Sequence, residues 1–105
     1  MQFEWNPSKA QSNVRKHGVT LDEATTVFDD PYARIIDDPD HSVVEERFII
    51  LGMSMGAREL VVSHCMRGLN GEVVRIISAR RATKKGVLAV LEVHRCAVNT
   101  TSAAR

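Results

Sequence analysis

Three apolar runs rich in β-branched residues, separated by short glycine-containing turns, leave this chain few folds to choose from. Glu45 to Leu51, Arg58 to Met66 and Val73 to Ala79 each have the length and composition of a strand. Gly52-Met53-Ser54-Met55-Gly56 and Arg67-Gly68-Leu69-Asn70-Gly71 join them. Sequential strands connected so tightly pair as antiparallel neighbours. Ala33 to Asp37 adds a shorter strand ahead of them, followed by the turn-forming string Asp38-Pro39-Asp40-His41-Ser42.

Two helices are expected before the sheet. Asn6-Pro7 is a helix start, because asparagine caps and proline fixes the first turn, and Gly18 is a stop, so the first helix runs from Pro7 to about His17. Its polar face carries Lys9, Asn13 and Lys16, and solvation accounts for Lys9. Thr20 with Glu23 three residues later is a capping box for the second helix, with Val19 stapled onto Ala24. Ala24, Val27 and Phe28 form its buried stripe, and Asp29-Asp30-Pro31 closes it. Phe3-Glu4-Trp5 makes a short first strand. The expected fold is therefore α+β, two N-terminal helices packed on one face of a mainly antiparallel meander sheet.

At 105 residues the chain makes one domain, residues 1–105. No apolar stretch approaches the roughly 20 residues of a membrane helix, and the amino end lacks a signal-peptide core, so a cytoplasmic location is expected. Cys65 and Cys96 have no close pairing spacing and stay reduced there. His64 beside Cys65 does not make a zinc site, since neighbours on a strand point to opposite faces; no metal or cofactor is expected. Through Gly52 five basic residues face ten acidic ones, and from Met53 onward nine face three. That asymmetry points to an anionic partner meeting the second half.

Val73 to Thr83 joins a core strand to Arg75, Arg80 and Arg81, and a stiff strand holds guanidinium groups in fixed positions. Cleavage of RNA without a metal needs a base for the 2′-hydroxyl proton, cations for the phosphorane and an acid for the leaving 5′-oxygen. Strand alternation puts Glu45 and Arg47 on one face with Ile49, groups Arg58 with Leu60, Val62, His64 and Met66, and gives Arg80 the face of Ser78 and Ile76. His41 lies in the turn beside this surface. His64, on an apolar face, reads as a satisfied, partly buried histidine. Walker, Rossmann, HExxH and GxSxG motifs are absent from the sequence.

Several separated strings together resemble the BrnT-type toxins of bacterial type II toxin–antitoxin pairs. They are Phe3-Glu4-Trp5 with Pro7 and Lys9, Asn13 with Lys16-His17-Gly18-Val19, and Val27-Phe28 with Asp30-Pro31. Asp40-His41-Ser42 with Glu45 and Arg47, Gly52 and Gly56 with Arg58, and Arg75 to Arg80 with Ala82-Thr83 complete the set, in order, over residues 2–85. The resemblance implies a RelE-like fold, an endoribonuclease activity that blocks translation, and a BrnA-type antitoxin of ribbon-helix-helix type that binds DNA and covers the toxin. Within those strings and the basic residues that follow them, His41 and Glu45 are candidates for proton transfer and Arg47, Arg58 and Arg80 for transition-state charge. Arg75, Arg81, Lys84 and Lys85 are candidates for holding RNA. The competing expectation is a non-catalytic partner-binding or regulatory module that uses the same basic face.

After Lys85 the text departs from the family. Where such toxins continue with a charged helix, residues 86–105 turn apolar at Gly86 and end in a small, polar tail. So abrupt a change is what a shifted reading frame produces. Reading the coding DNA one base out of register after Lys85 is expected to uncover a charged continuation; a frame without one disproves the shift.

Overall fold

The computed structural model describes residues 1–38 and 46–83. His41, Glu45, Lys84, Lys85 and the apolar segment 86–105 lie outside the described residues. Among those described, no helix is long and apolar enough to cross a membrane.

Local signals set the helices. The Asn6 side chain accepts from Ser8 N at 2.8 Å and Lys9 N at 3.4 Å, starting α1 (Pro7–His17). Gly18, at φ 67°, ends it by donating its N–H to Val14 O. Thr20 Oγ1 accepts from Glu23 N at 3.1 Å and starts α2 (Leu21–Thr26), which tightens into one 3₁₀ turn, Val27–Asp29. Only half of the expected capping box forms. The Glu23 carboxylate reaches instead to Ser54 and Arg58.

Five strands form one sheet: β1 (Gln2–Glu4), β2 (Arg34–Asp37), β3 (Phe48–Met53), β4 (Glu59–Arg67) and β5 (Val73–Arg81), in the order β1-β5-β4-β3-β2. The meander of β2 to β5 is antiparallel as expected, but β1 lies parallel to β5, so the sheet is mixed. Ile50, Leu60, Val62, Val74, Ile76 and Ala79 face the helical layer and pack with Val19, Leu21, Ala24 and Val27. Burying each such Leu or Ile contributes about 1.5–3 kcal/mol. Ile36, Leu51 and Val61 form a second cluster on the other face. Val61 is buried against Ile36 and Leu51 on that face while Leu60 and Val62 are buried on the helical one, which is why these three residues run apolar without alternation.

Two positions lock helices to sheet. A Cβ on Gly52 would lie 2.8 Å from Ala33 Cβ and 2.9 Å from Val27 Cγ1, so glycine is what lets the 3₁₀ turn rest on β3. Asn13 of α1 meets β5 where β1, which pairs only with Val73 to Arg75, no longer covers its edge. Its amide donates to Ala79 O at 2.7 Å and Val19 O at 2.9 Å, while its carbonyl accepts from Ala79 N at 3.0 Å. All three bonds are buried, and among the described residues no buried side-chain nitrogen or oxygen lacks a partner.

Asn13→Ala would leave the Ala79 amide and two carbonyls buried without it, so a loss of about 2–3 kcal/mol is expected in urea unfolding. Gly52→Ala is expected to cost about 1–3 kcal/mol by overpacking in the same measurement. A neutral result at either position would show that the helical layer is not held to the sheet at these points.

Candidate nucleic-acid interface

The arginines of β5 are sorted by one extra residue. Ser63 pairs with Ser78 but His64 with Ile76, so Ile77 is a bulge and the strand changes phase there. Arg80 lies opposite Val61, and Arg75 opposite Cys65, so both occupy the face away from the helices, with Ser63 and Ser78 between them. The expected grouping of Arg80 with Ile76 is therefore corrected: Ile76 faces the helical core. Ala82, next in phase after Arg80, packs against the second apolar cluster.

Arg47 enters β3 on that side too. Its carbonyl accepts from Asp38 N at 2.8 Å, which extends the β2–β3 ladder by one pair, and alternation then gives Arg47 the face of Ile49. The pairing Phe48 with His64 puts Arg47 at the level of Cys65, and Cys65 at that of Arg75. Arg75 is ion-paired with Glu4 of β1, its parallel neighbour. Three guanidinium-bearing positions on β3 and β5 thus share the outer face of the sheet. His41 and Glu45, the expected proton-transfer groups, and the basic residues Lys84 and Lys85 lie outside the described residues.

Arg58 does not join them. Its Nε donates to Glu23 Oε2 at 3.0 Å, its Nη2 donates to Glu23 Oε1, and Nη2 also reaches Gly18 O at 3.3 Å, all on the helical side. Ser54 Oγ donates to the same Glu23 carboxylate at 2.6 Å. Met55 N donates to Thr26 Oγ1 at 2.9 Å and Met53 N to Asp30 Oδ2 at 2.8 Å, so the whole β3–β4 turn is tied to the α2 layer. Arg81, opposite Leu60, belongs to this side as well, and its charge acts on Glu23. Hydrogen bonds from Arg58 and Ser54 hold the Glu23 carboxyl below its ordinary value, and the same contact raises the Arg58 guanidinium.

His64 is 2% exposed, edge-on to Phe28 at 4.9 Å between ring centroids, and burial pushes its imidazole below the ordinary value. A neutral histidine inside the helical core is structural. The other described histidine, His17, is exposed at the end of α1. It lines a cleft of about 290 Å³ with Lys9, Ser12, Asn13, Lys16, Ile77 and Ser78. Two further openings, of about 390 and 490 Å³, carry Asp30 and Glu59, or Glu72, in their walls and suit a polyanion less well. Sequence reasoning assigned Lys9 to solvent and gave Lys16 and His17 no role, because only the tertiary contact of Asn13 with β5 turns that helix face into a wall.

The α+β fold thus displays arginines on one sheet face and lysines along α1. The chain matches the family described as "Ribonuclease toxin, BrnT, of type II toxin-antitoxin system" over residues 5–86. It belongs to that family. A type II toxin has a cognate antitoxin as its partner. The crystal structure of the Brucella abortus ribonuclease toxin BrnT, at 1.1 Å resolution, has the same fold, with a TM-score of 0.62 and 22% identity over 80% of this chain and 99% of that one. No curated protein sequence matches.

The Glu23–Arg58 contact predicts an acid limb in stability. Because the folded Glu23 carboxyl lies below its ordinary value of 4.5, its stabilising effect is complete above that pH and disappears as pH falls through the folded value. In Glu23→Gln the melting temperature should start lower at neutral pH and fall less steeply below pH 4.5 than in the wild type. Parallel acid limbs in the two proteins would remove Glu23 as the source.

Proposed function

We propose that the chain is a metal-independent endoribonuclease that cleaves RNA to stop translation, acting in the cytoplasm. A BrnA-type antitoxin, a ribbon-helix-helix DNA-binding protein, covers it and represses the shared operon; the toxin meets DNA only through that partner. What supports this reading above all is the shared outer face of Arg47, Arg75 and Arg80 in a chain of this family.

In the proposed reaction the 2′-hydroxyl gives its proton to a base, its oxygen attacks the adjacent phosphorus, and the 5′-oxygen leaves with a proton from an acid. His41 and Glu45 are the proposed proton-transfer pair. Arg47 and Arg80 supply charge to the phosphorane oxygens, where fixed cations are worth most. Arg75, Arg81, Lys84 and Lys85 hold flanking phosphates, with Arg75 oriented by Glu4. Arg58, engaged by Glu23 and the Gly18 carbonyl on the helical side, contributes as a positioning residue that fixes the start of β4.

Incubation of the purified protein with total RNA in EDTA should give fragments, and intact RNA at high protein concentration would refute the enzyme. Arg47→Ala and Arg80→Ala should each lower the cleavage rate by about 10²–10³-fold and abolish growth arrest. Arg80 is exposed, so its variant should keep stability within about 0.5 kcal/mol. Full toxicity in Arg80→Ala would remove that residue from the site.

A further inference from the structure

We propose that the cleft between α1 and the open edge of β5 holds the sugar–phosphate backbone of single-stranded RNA, with Lys9 and Lys16 neutralising successive phosphates and His17 at its end. The proposal rests on the ribonuclease reading and assigns that substrate a path across the molecule.

The cleft is built by a face of α1. Lys9, Asn13 and Lys16 are spaced four and three residues apart, so they form one stripe about 10 Å long. Asn13, in the middle, is fixed to Ala79 and Val19 by three buried hydrogen bonds. The lysines on either side are therefore anchored along the β5 edge at their backbones, not carried on a loosely attached helix. No carboxylate is among the described residues that line the cleft. Among the described residues Lys9, Lys16 and His17 make no side-chain hydrogen bond or ion pair, whereas Arg58 and Arg75 are each matched to a glutamate.

The cleft also continues toward the proposed catalytic face. Ser78 lines it and, through the Ile77 bulge, belongs to the same sheet face as Arg75 and Arg80. Ser12 and Ser78 place hydroxyl donors beside the lysines. Ammonium groups and hydroxyls without a base-reading amide fit a backbone contact that is indifferent to sequence. An acidic segment of the antitoxin could present the same charge, but cations in register along a groove that leads to Arg80 favour a continuous polyanion.

The test uses full-length protein and a short, 5′-fluorescein-labelled single-stranded 2′-O-methyl oligoribonucleotide, which cannot be cleaved because its 2′-oxygen is blocked. The double variant Lys9→Gln, Lys16→Gln should bind at least about tenfold more weakly in anisotropy. Its plot of log affinity against log salt should flatten by about 1.4, close to 0.7 for each of two phosphates. Arg15→Gln, on the same helix but outside the cleft, should bind like the wild type. Glutamine keeps helix propensity, and thermal melts confirm folding.

Unchanged affinity in the double variant overturns the proposal, and so does an equal loss in Arg15→Gln, which would mean diffuse charge. Unchanged RNA affinity with a weakened antitoxin complex also overturns it and gives the cleft to the protein partner. Cleavage of total RNA, run in parallel, reports on the enzyme alone: wild-type protein that binds the blocked oligonucleotide yet cuts nothing refutes the activity and leaves the cleft standing.

Discussion

The Asn13 carboxamide meets the backbone of Ala79 as a neighbouring strand would, donating to its carbonyl and accepting from its amide. β5 needs such a partner because β1 is only three residues long and covers only its first part. An open edge invites pairing with other chains, and a side-chain amide that mimics a peptide closes one position of it without adding a strand. The remaining amide hydrogen goes to Val19 O, which fixes the link between the helices. Gly18, one residue earlier, is thereby held where its carbonyl can accept from Arg58. One buried carboxamide thus sets α1, the start of α2 and the far end of β5 relative to one another.

The second determinant is the bulge at Ile77. Five residues separate Arg75 from Arg80, an odd number that in a regular strand would send them to opposite faces. The extra residue restores phase, so both stand on the outer face while Ile76 and Ala79 remain in the helical core. Without it, either Arg80 would enter the apolar layer or Ala79 would lose its contact with Asn13. Core packing and charge display demand different registers at the two ends of β5, and a bulge is the cheapest way to satisfy both.

Much of this was legible in the chain. Asn6-Pro7, Gly18 and Thr20 gave the helix ends, since capping is chemistry of adjacent residues. Glycine-bearing turns gave the meander. The bulge left no trace, because Ile76-Ile77 reads as ordinary strand and its cause lies in partners on β4. β1 was expected as a strand, yet its parallel pairing depends on a crossover spanning the whole domain. Arg58 was grouped with the phosphate-binding arginines, although its strand neighbours Leu60 and Val62 already placed it on the helical side. What the sequence hid was Glu23, an acid 35 residues earlier that the fold brings to it.

The charge asymmetry along the chain changes meaning in three dimensions. Its two halves, acidic then basic, suggested that an anionic partner meets the second. In the fold the halves interlock, and Glu4 with Arg75 and Glu23 with Arg58 each match an acid of the first half to an arginine of the second. Part of the dipole is therefore spent on holding β1 to β5 and the β3–β4 turn to α2. Lys9 and Lys16, which make no such match among the described residues, belong to the acidic half. On the proposed reading, a polyanion is drawn not by the half of the sequence richest in arginine, but by cations from both halves, along α1 and at the end of β5, that make no ion pair with a carboxylate among the described residues.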